Sequence, residues 1–585
     1  MCGILVIFSK KKKINKKKSI QCLHELHNRG PDKKLFNFFD NQKLFIGNSI
    51  LKITGNIKKG NDLYSSINKK IHLSFNGEIY NYEILKKKFS NIKNPNKNDT
   101  EILASLHNRF NIEKVLKHID GMFAFASYHK NQKKIFFATD PQGEKRLYKY
   151  DDENYLIISS TPEPIKKFLD KNFNLNSTIF ENYFKTRHFL HLKNSIYENI
   201  SFLNPGEIYT YDLKKNNLSS KKFDDPINWI NKKHYNYFKT IGFQKSSYFL
   251  KKKLIQTSKL MIPKTNFGTI CSGGVDSTLI SYFLKKNKLN KFFICLNNTG
   301  KDPVADKISK FQNFFDFKNF KLIKINAKEY FLSLKRTYRS FKLPFLTHDI
   351  VGRFKIFEFF RNKNVRVCFS SDGADEIFGG YSLYKKINWN KFTKINPSPY
   401  SSIKKMKTSS NEISPNIIWS NAYKRYNKFL NPKESRMQAS LFTDYFVQGV
   451  GVHNISNDIL GGECSIEIRN VYLNKNIIKL ALNLPIKYKI NLKSKSSELK
   501  TKHILKNVFI NIFGDKLLFK KQGFSGFPNE SKKYLVKKDK KSFFRLTEKY
   551  KKRFSLDRAA EWKLLNLFYY KKFFKKKLII EDTFH

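Results

Sequence analysis

Residues 267–285 read FGTICSGGVDSTLISYFLK, and this stretch decides the fold of the second half of the chain. The apolar run Phe267–Cys271 predicts a buried strand, and Thr278–Lys285 predicts a helix. Between them lies Ser272-Gly273-Gly274-Val275-Asp276-Ser277. Its glycines let backbone N–H groups turn toward an anion without a Cβ atom in the way, and the helix N-terminus favours negative charge. We therefore predict a phosphate-binding loop, with an ordinary strand-to-helix turn as the alternative.

Strand and helix patterns alternate on the C-terminal side of this loop. The further strand candidates are Phe292–Leu296, Phe320–Ile325 and Val365–Ser370, and the last 200 or so residues are mostly helical by pattern. Such alternation predicts a parallel α/β sheet, in which ligands gather at the carboxyl ends of the strands.

A second polar turn, Ser370-Ser371-Asp372-Gly373-Ala374-Asp375-Glu376, follows one of these strands. An aspartate beside phosphate needs a bridging cation, so we expect Asp276 and Asp375 to share Mg²⁺ on a pyrophosphate group. Asp372 is then placed near the reacting carboxyl group. Taken alone, this turn is equally compatible with acidic residues that cap a helix N-terminus.

The first 220 residues show a different pattern, with short alternating apolar runs between turns. Strands are predicted at Ile4–Phe8, Leu44–Ile46, Ile71–Phe75, Met122–Tyr128, Lys134–Ala138 and Tyr155–Ser159, with helices near Ile20–His27 and Thr100–Phe110. A polar stretch at Lys214–Trp229 follows. Because 585 residues exceed one hydrophobic core, we predict two domains, residues 1–220 and 235–585.

Cys2 is the candidate nucleophile of the first domain. Removal of Met1 would leave a residue whose α-amine can take the proton of its own thiol, as N-terminal nucleophiles do. A cysteine taken by its type alone is more often a small buried apolar residue, so Cys2 depends on support from the rest of the chain.

The composition narrows the class of protein. Lys and Arg number 112 against 48 Asp and Glu, a net charge of +64, but lysine is spread along nearly every segment and predicts a solvated surface. Without a base-reading motif, any nucleic-acid binding should be weak and non-specific. The six cysteines form no metal or disulfide pattern, and there is no membrane-length apolar run or signal-like region. We expect a cytoplasmic protein without a membrane partner.

Ordered motifs across both halves resemble those of the glutamine-hydrolysing asparagine synthetases, in which a class II glutamine amidotransferase precedes an ATP-pyrophosphatase-type synthetase domain. The motifs are Cys2-Gly3-Ile4, His27–Asp32, Asn76–Asn81, Asp99-Thr100-Glu101, Gly121–Ala126, Asp140–Tyr148, Ser272–Ser277, Ser370–Tyr381, Ser465–Arg469, Lys502–Lys506 and Lys521–Phe524. The resemblance implies an α/β protein, with an N-terminal nucleophile hydrolase of four α/β/β/α layers before a Rossmann-like parallel domain with a helical C-terminal part.

For the first domain, the resemblance implies a glutaminase. Cys2 would attack the glutamine side-chain amide, and Asn76 with the Gly77 N–H would form the oxyanion hole. Glu78 and Asp99 would hold the α-amino group. The remaining glutamine-binding segment is Ile50, Leu51, Lys52, Ile53 and Thr54.

For the second domain, the resemblance implies that ATP activates a carboxylate as an acyl-adenylate, which ammonia then converts to an amide. Ser272, Gly273, Gly274, Asp276 and Ser277 would form the phosphate loop. The adenosine contacts would be Ile270, Leu296, Ser370 and Ser371. Lys502 would neutralise the departing pyrophosphate, with Mg²⁺ on Asp276 and Asp375.

Departures from the family pattern lead to further expectations. Ile50 stands where the family has an arginine for the glutamine α-carboxylate, and Lys52 replaces it only if the local conformation departs from a regular strand. We therefore predict weakened glutamine binding. Asp372 replaces a glutamate, Thr139 an arginine, and Arg469–Asn474 departs from the family's Arg-Val-Pro-Phe-Leu-Asp.

The leading hypothesis is asparagine synthesis from aspartate, glutamine and ATP. One alternative is the same chemistry on another carboxylate, such as a sugar acid of a surface polysaccharide or a β-lactam precursor. Another is a degenerate homologue that acts as a basic binding protein. The oligomeric state is open, with a homodimer as the candidate.

Overall fold

The computed structural model describes residues 1–57, 59–89, 98–176, 179, 194–297, 307–311, 313–315, 319–345, 347, 349–387, 389, 415–519, 537–551, 565–566, 568–570 and 572. The predicted motif Lys521–Phe524 lies outside these residues. We call residues 3–222 the two-sheet region and the residues from 232 onward the parallel-sheet region.

The two-sheet region consists of two six-stranded sheets, whose described strand pairs are antiparallel. Its strands are β1 Gly3–Ser9, β2 Lys33–Phe39, β3 Leu44–Ile50, β4 Tyr64–Ser65, β5 Ile71–Ile79, β6 Gly121–His129, β7 Lys134–Thr139, β8 Tyr148–Asp151, β9 Tyr155–Ser159, β10 Ser201–Phe202, β11 Glu207–Asp212 and β12 Asn217–Lys222. Their order is β10-β8-β9-β1-β3-β2 in one sheet and β12-β11-β7-β6-β5-β4 in the other.

Helices cover the outer faces of both sheets. They are α1 Lys16–His24, α2 Tyr82–Lys88, α3 Asp99–Arg109, α4 Ile112–His118 and α5 Glu163–Leu169. Helices α1 and α5 pack on the first sheet and α3 packs on the second, while apolar side chains such as Val6, Ile46 and Ala126 fill the space between the sheets. The four α/β/β/α layers predicted from the sequence are therefore confirmed.

The parallel-sheet region is built on a five-stranded parallel sheet of order β15-β14-β13-β16-β17. The strands are β13 Phe267–Ile270, β14 Asn290–Asn297, β15 Phe320–Lys324, β16 Val367–Ser370 and β17 Glu467–Asn470. The chain leaves β13 toward β14 on one side and later returns to β16 on the other. This reversal is a topological switch point, where the loops after β13 and β16 meet and open α/β sheets bind ligands.

Most of the remaining described residues of this region are helical, as predicted. The helices are α6 Lys232–Leu260, α7 Val275–Leu284, α8 Ala327–Phe341, α9 Ile350–Asn362, α10 Ala374–Phe378, α11 Pro415–Tyr426, α12 Pro432–Asp444, α13 Ile455–Glu463, α14 Lys475–Asn483, α15 Ile486–Lys489, α16 His503–Phe513 and α17 Lys537–Lys551. Gly242 interrupts α6, and a π-helical segment, Tyr445–Asn454, joins α12 to α13.

The predicted elements differ from the observed ones mainly at their ends. The helix expected near Ile20–His27 begins earlier, because Asn15 caps it by accepting the Lys18 N–H, and it ends at His24. The division into residues 1–220 and 235–585 stays a prediction, although the second sheet ends at Lys222 and α6 begins at Lys232. Within the described residues, no helix is long and apolar enough to cross a bilayer.

Candidate active sites

Cys2 lies just before β1, at the point where the two-sheet region meets the parallel-sheet region. Its half-buried thiol accepts the Leu51 N–H at 3.4 Å, and its carbonyl accepts from Arg29 Nε at 3.0 Å. Burial raises the pKa of this thiol, and burial likewise lowers the pKa of the Met1 α-amine to about 5. Met1 itself is buried, with its sulfur 2.8 Å from Lys145 Nζ. The nucleophile predicted from the sequence is therefore held in place by backbone and side-chain contacts.

Two buried asparagines, Asn48 of β3 and Asn76 of β5, differ sharply in their hydrogen bonding. Asn48 donates to Gly3 O at 3.0 Å and to Phe75 O at 3.1 Å, and it accepts the Phe75 N–H at 3.1 Å. It thereby ties the start of β1 to β5. Among the described residues, neither polar atom of the Asn76 side chain has a hydrogen-bond partner, although Asn76 is fully buried. An unsatisfied buried amide is costly and uncommon, so Asn76 is suited to a partner that arrives with substrate.

Gly77 follows Asn76 in β5 with φ +145, a conformation that L residues rarely adopt. A Cβ atom here would lie 2.0 Å from Met122 O of the neighbouring strand. Only glycine fits at this position, so the direction of the Gly77 N–H depends on a backbone conformation that other residues would not keep.

Acidic side chains collect at the end of β5. Glu78 accepts from Thr54 Oγ1 at 2.8 Å, and Asp99 accepts the Ile79 N–H at 2.9 Å. Burial and the neighbouring Asp99 raise the pKa of Glu78, with Arg469 opposing them; burial likewise raises the pKa of Asp99, and backbone hydrogen bonds oppose it. Burial is the larger cause of both shifts, so a cation that binds beside these carboxylates would favour their charged forms.

The segment 50–54 is distributed between the core and the surface. Ile50 ends β3, is 8% exposed and packs between the two sheets. Leu51 and Ile53 are also buried. Lys52 lies beyond the end of β3, where its N–H donates to Asp32 Oδ2 at 2.7 Å.

The exposed Lys52 side chain lies at an open pocket. Asp32, Ile53, Asn56, Lys264 and Arg366 are among its lining residues, and Arg366 forms an ion pair with Asp32 at 2.8 Å. Lys52 is therefore outside the regular strand, which is the condition under which the sequence predicted that it could replace the missing arginine.

The loop after β13 is organised by its own serines. Ser272 Oγ and Ser277 Oγ are 2.9 Å apart, the Ser272 N–H donates to Ser277 Oγ at 3.0 Å, and Gly273 has φ +72. Helix α7 begins at Val275, directly after Gly274. The expected strand, loop and helix N-terminus are thus present in the expected order.

Lys502 connects this loop to the one after β16. Its Nζ contacts Asp276 Oδ2 and lies 2.8 Å from Asp375 Oδ1. Burial alone would lower the pKa of Lys502, but these two carboxylates outweigh burial and raise it. The three residues most directly predicted for pyrophosphate chemistry therefore come together from sequence positions more than 90 residues apart.

The Asp276–Asp375 pair fits a divalent cation by donor chemistry. Mg²⁺ prefers oxygen ligands and is usually bound through one or two carboxylates together with substrate phosphates. A Cβ atom on Gly380 would lie 1.9 Å from Asp375 Oδ1 and 2.1 Å from Lys502 Cε, so glycine keeps the space beside both groups open. Within the described part of the chain, no group of three or more His, Cys, Asp or Glu is placed to hold a metal ion by itself.

Asp372, predicted near the reacting carboxyl group, is held by a buried arginine. Arg353 makes two hydrogen bonds of 2.8 Å to its two carboxylate oxygens, and Ser370 Oγ and Asn457 Nδ2 donate to Oδ2 at 2.8 and 2.9 Å. Burial alone would raise the pKa of Asp372, but Arg353 outweighs it and holds the pKa well below its usual range.

His453 extends this cluster from the π-helical segment. Its ring nitrogens lie 3.8 Å from Asp372 Oδ1 and 3.4 Å from Glu376 Oε1, and these carboxylates raise its pKa against the effect of burial. Glu376 Oε2 is buried without a hydrogen-bond partner among the residues that the structure describes. π-Helical segments are frequent at functional sites.

The predicted adenosine contacts lie at the carboxyl ends of three neighbouring strands. Ile270 ends β13, Leu296 lies near the end of β14, and Ser370 ends β16, with Ser371 following it. Because β13 lies between β14 and β16, these residues share one edge of the sheet.

Several residues of these sites were missed as individual candidates. Arg29 donates to Cys2 and pairs with Asp458 at 2.9 Å, while Arg353 and His453 surround Asp372. Arg469 Nη2 lies 3.1 Å from Glu78 Oε2. Arg29 and Arg469 belong to quoted motifs, so those motifs were the available signal, whereas nothing in the local sequence distinguishes Arg353.

Comparison with known proteins agrees with this arrangement of sites. The family model described as glutamine amidotransferase domain matches residues 1–224, and the model described as asparagine synthase matches residues 252–566.

Similar proteins cover most of the chain. A putative glutamine-hydrolysing asparagine synthetase 2 of Methanocaldococcus jannaschii is 28% identical over 416 residues, 66% of this chain and 76% of the relative. A second from the same organism is 24% identical over 518 residues, 84% of this chain and 82% of the relative. The glutamine-hydrolysing asparagine synthetase of Rattus norvegicus is 25% identical over 416 residues, 66% of this chain and 68% of the relative. This chain belongs to the asparagine synthase family, with a glutamine amidotransferase domain preceding the asparagine synthase region.

Proposed function

We propose that this protein is a glutamine-dependent, ATP-driven amide ligase, and that it makes asparagine from aspartate. The observation that carries the proposal is the contact of Lys502 with both Asp276 and Asp375, which brings the two loops at the switch point together. Two such loops facing each other can hold one triphosphate between them.

In the two-sheet region, Cys2 would attack the side-chain amide of glutamine after Met1 is removed. The Cys2 α-amine would then take the thiol proton, which the buried thiol of raised pKa does not lose readily by itself. The unsatisfied Asn76 amide and the Gly77 N–H would stabilise the tetrahedral oxyanion, releasing ammonia and leaving a glutamyl thioester for hydrolysis.

The glutamine main-chain groups would be bound by charge. Glu78 and Asp99 would accept from the α-ammonium group, whose positive charge would offset the burial that raises the pKa of both carboxylates. Lys52 is our candidate for the α-carboxylate, because Ile50 is packed in the core. A flexible ammonium makes a weaker clamp than a guanidinium, so weakened glutamine binding stays our prediction.

In the parallel-sheet region, the acceptor carboxylate would attack the α-phosphate of ATP and displace pyrophosphate. Asp276 and Asp375 would hold Mg²⁺, which supplies charge neutralisation for the leaving group. Lys502 would shift from these carboxylates toward the phosphates as they enter. Ammonia would then displace AMP from the acyl-adenylate to give the amide.

A different carboxylate acceptor is the second candidate, and the Asp372–Arg353 pair favours it. Asp372 already accepts two hydrogen bonds from Arg353 and one each from Ser370 and Asn457, which leaves its carboxylate little capacity to bind the ammonium group of aspartate. Glu376 Oε2 remains a buried acceptor for that ammonium group, which keeps aspartate as the first choice.

The test is the product formed from ATP, Mg²⁺ and either glutamine or ammonium, with aspartate or other carboxylates as acceptor. We expect AMP, pyrophosphate and amide in equal amounts, with aspartate the best acceptor. Asp276→Ala should abolish all three products while glutamine hydrolysis continues. If another carboxylate is turned over as fast as aspartate or faster, that carboxylate replaces aspartate as the proposed acceptor. If no AMP forms with any acceptor, the proposed ligase activity is refuted.

A further inference from the structure

We propose that Arg469 of the parallel-sheet region is a positioning residue for glutamine binding in the two-sheet region, because it orients Glu78 toward the α-ammonium group. This inference rests on the proposed function. It assigns part of the glutamine site to the other half of the chain.

The contacts of Arg469 show how it is held. Its Nε donates to Glu467 Oε1 at 2.9 Å, its Nη1 donates to Met261 O, and its Nη2 donates to Glu78 Oε2 at 3.1 Å. The first two partners belong to the parallel-sheet region. Arg469 is 1% exposed, and its Cζ lies 5.5 Å from the centre of the Tyr80 ring. The guanidinium is therefore fixed from its own side and presents one donor edge to Glu78.

This contact fixes both oxygens of Glu78. Thr54 Oγ1 binds Oε1 at 2.8 Å, while Arg469 binds Oε2, so the carboxylate has one defined orientation before a ligand arrives. Preorganisation of this kind reduces the entropy lost when a ligand binds. Lysine cannot replace Arg469 here, because one Nζ cannot contact three acceptors in the fork geometry of a guanidinium.

The charge balance leaves room for the substrate. Glu78 and Glu467 are buried acids paired with the one guanidinium, and Asp99 is a third buried acid, which interacts electrostatically with both of them. The carboxylates of Glu467 and Glu78 raise the pKa of Arg469 although burial opposes this, so Arg469 stays charged. A second cation is needed to balance the cluster, and the α-ammonium group of glutamine is a cation of the right size.

The sheet connects this position to the ATP edge. In the parallel ladder of β16 and β17, Arg469 is paired with Phe369 and Asn470 with Ser370. Arg469 therefore lies one residue from the register position of Ser370, a predicted adenosine contact. Strand β17 therefore carries both Arg469, which contacts Glu78, and Asn470, which is paired with Ser370.

The experiment compares glutamine with glutaramate, which is glutamine without its α-amino group, using calorimetric Kd values in a Cys2→Ala background. Arg469→Lys should weaken glutamine binding about tenfold or more, the usual effect of losing a well-placed charge-assisted hydrogen bond. It should change glutaramate binding less than about twofold. In the enzyme with Cys2 intact, the glutamine KM should rise while kcat and ammonium-dependent synthesis hold.

Lys342→Met is the matched control, because Lys342 joins Glu163 of the two-sheet region to Glu463 of the parallel-sheet region, away from Glu78. It should leave both Kd values unchanged. If Arg469→Lys lowers the melting temperature, the double variant Glu467→Gln/Arg469→Gln is used instead, because it removes both charges of the pair. It should show the same loss of glutamine binding with little change in glutaramate binding.

The inference is overturned if Arg469→Lys weakens the binding of glutamine and glutaramate equally, if it weakens neither, or if the parent protein does not bind glutamine. A selective loss in a protein that forms no amide would leave the inference standing and refute the proposed function. Amide formation without the selective loss of glutamine binding would support the proposed function and refute the inference about Arg469.

Discussion

Asn76→Ala tests the proposed oxyanion hole most sharply, because its effects on stability and on rate should have opposite signs. The Asn76 side chain is fully buried, and neither polar atom has a partner among the described residues. An unsatisfied buried amide costs about 1–3 kcal/mol. Truncation leaves a cavity of roughly 30 Å³, which costs about 0.7 kcal/mol. The variant should therefore be as stable as the parent protein or up to about 2 kcal/mol more stable.

The rate should change in the other direction. Loss of one oxyanion donor typically lowers kcat about 100- to 1000-fold, or roughly 3–4 kcal/mol of transition-state stabilisation. Glutaminase activity should fall by that factor, whereas ammonium-dependent amide synthesis should hold, because it bypasses Asn76. The assay is glutamate release measured beside amide formation, with chemical denaturation for stability.

Asn48→Ala is the matched control from the same part of the site. Asn48 is equally buried but makes hydrogen bonds to Gly3 O, Phe75 O and Phe75 N. Its removal strands backbone groups and should cost roughly 3 kcal/mol or more. Asn76 is not the oxyanion donor if Asn76→Ala destabilises the protein as much as Asn48→Ala does, or if it leaves the glutaminase kcat unchanged.

The remaining predictions concern charge. Lys502→Met should abolish AMP and pyrophosphate formation while glutamate release continues, because the contact that joins the two loops is lost. AMP and glutamate can be measured in the same reaction. Lys52→Ala should raise the glutamine KM about tenfold with little change in kcat, and an unchanged KM would show that another group binds the α-carboxylate. The pKa values of Glu78 and Asp99 are raised, so these carboxylates should become protonated at pH values well above those at which glutamate and aspartate usually do. When KM is measured as a function of pH, the KM for glutamine should therefore rise as pH falls toward these raised pKa values, whereas the KM for glutaramate should not.

The elements set by local pattern could be predicted from the sequence. Alternation of apolar residues located β1, β5 and β6, and the glycines with a following helical run located the loop at Ser272–Ser277. Two loops that follow parallel strands end at the same edge of a sheet, so the meeting of Asp276 with Asp375 was also foreseeable.

Contacts between the two halves of the chain could not be predicted in the same way. Glu78 and Arg469 are 391 residues apart, and no local pattern states that they meet. The pairing of Asp372 with Arg353 likewise depends on how α9 packs against the parallel sheet, where it contacts β14. Ile50, the first residue of the predicted glutamine-binding segment, lies in the core because β3 continues to this position and its last side chain faces the opposite sheet.

The proposed function requires that nitrogen from glutamine becomes a new amide at the expense of ATP within this one chain. The most direct measurement supplies glutamine labelled with ¹⁵N in its side-chain amide, together with ATP, Mg²⁺ and aspartate, and follows the label. We predict ¹⁵N in the side-chain amide of asparagine, with one AMP formed per labelled product. Label found only in free ammonium, with no AMP formed from ATP in the presence of aspartate or of any other carboxylate, would refute the proposed ligase.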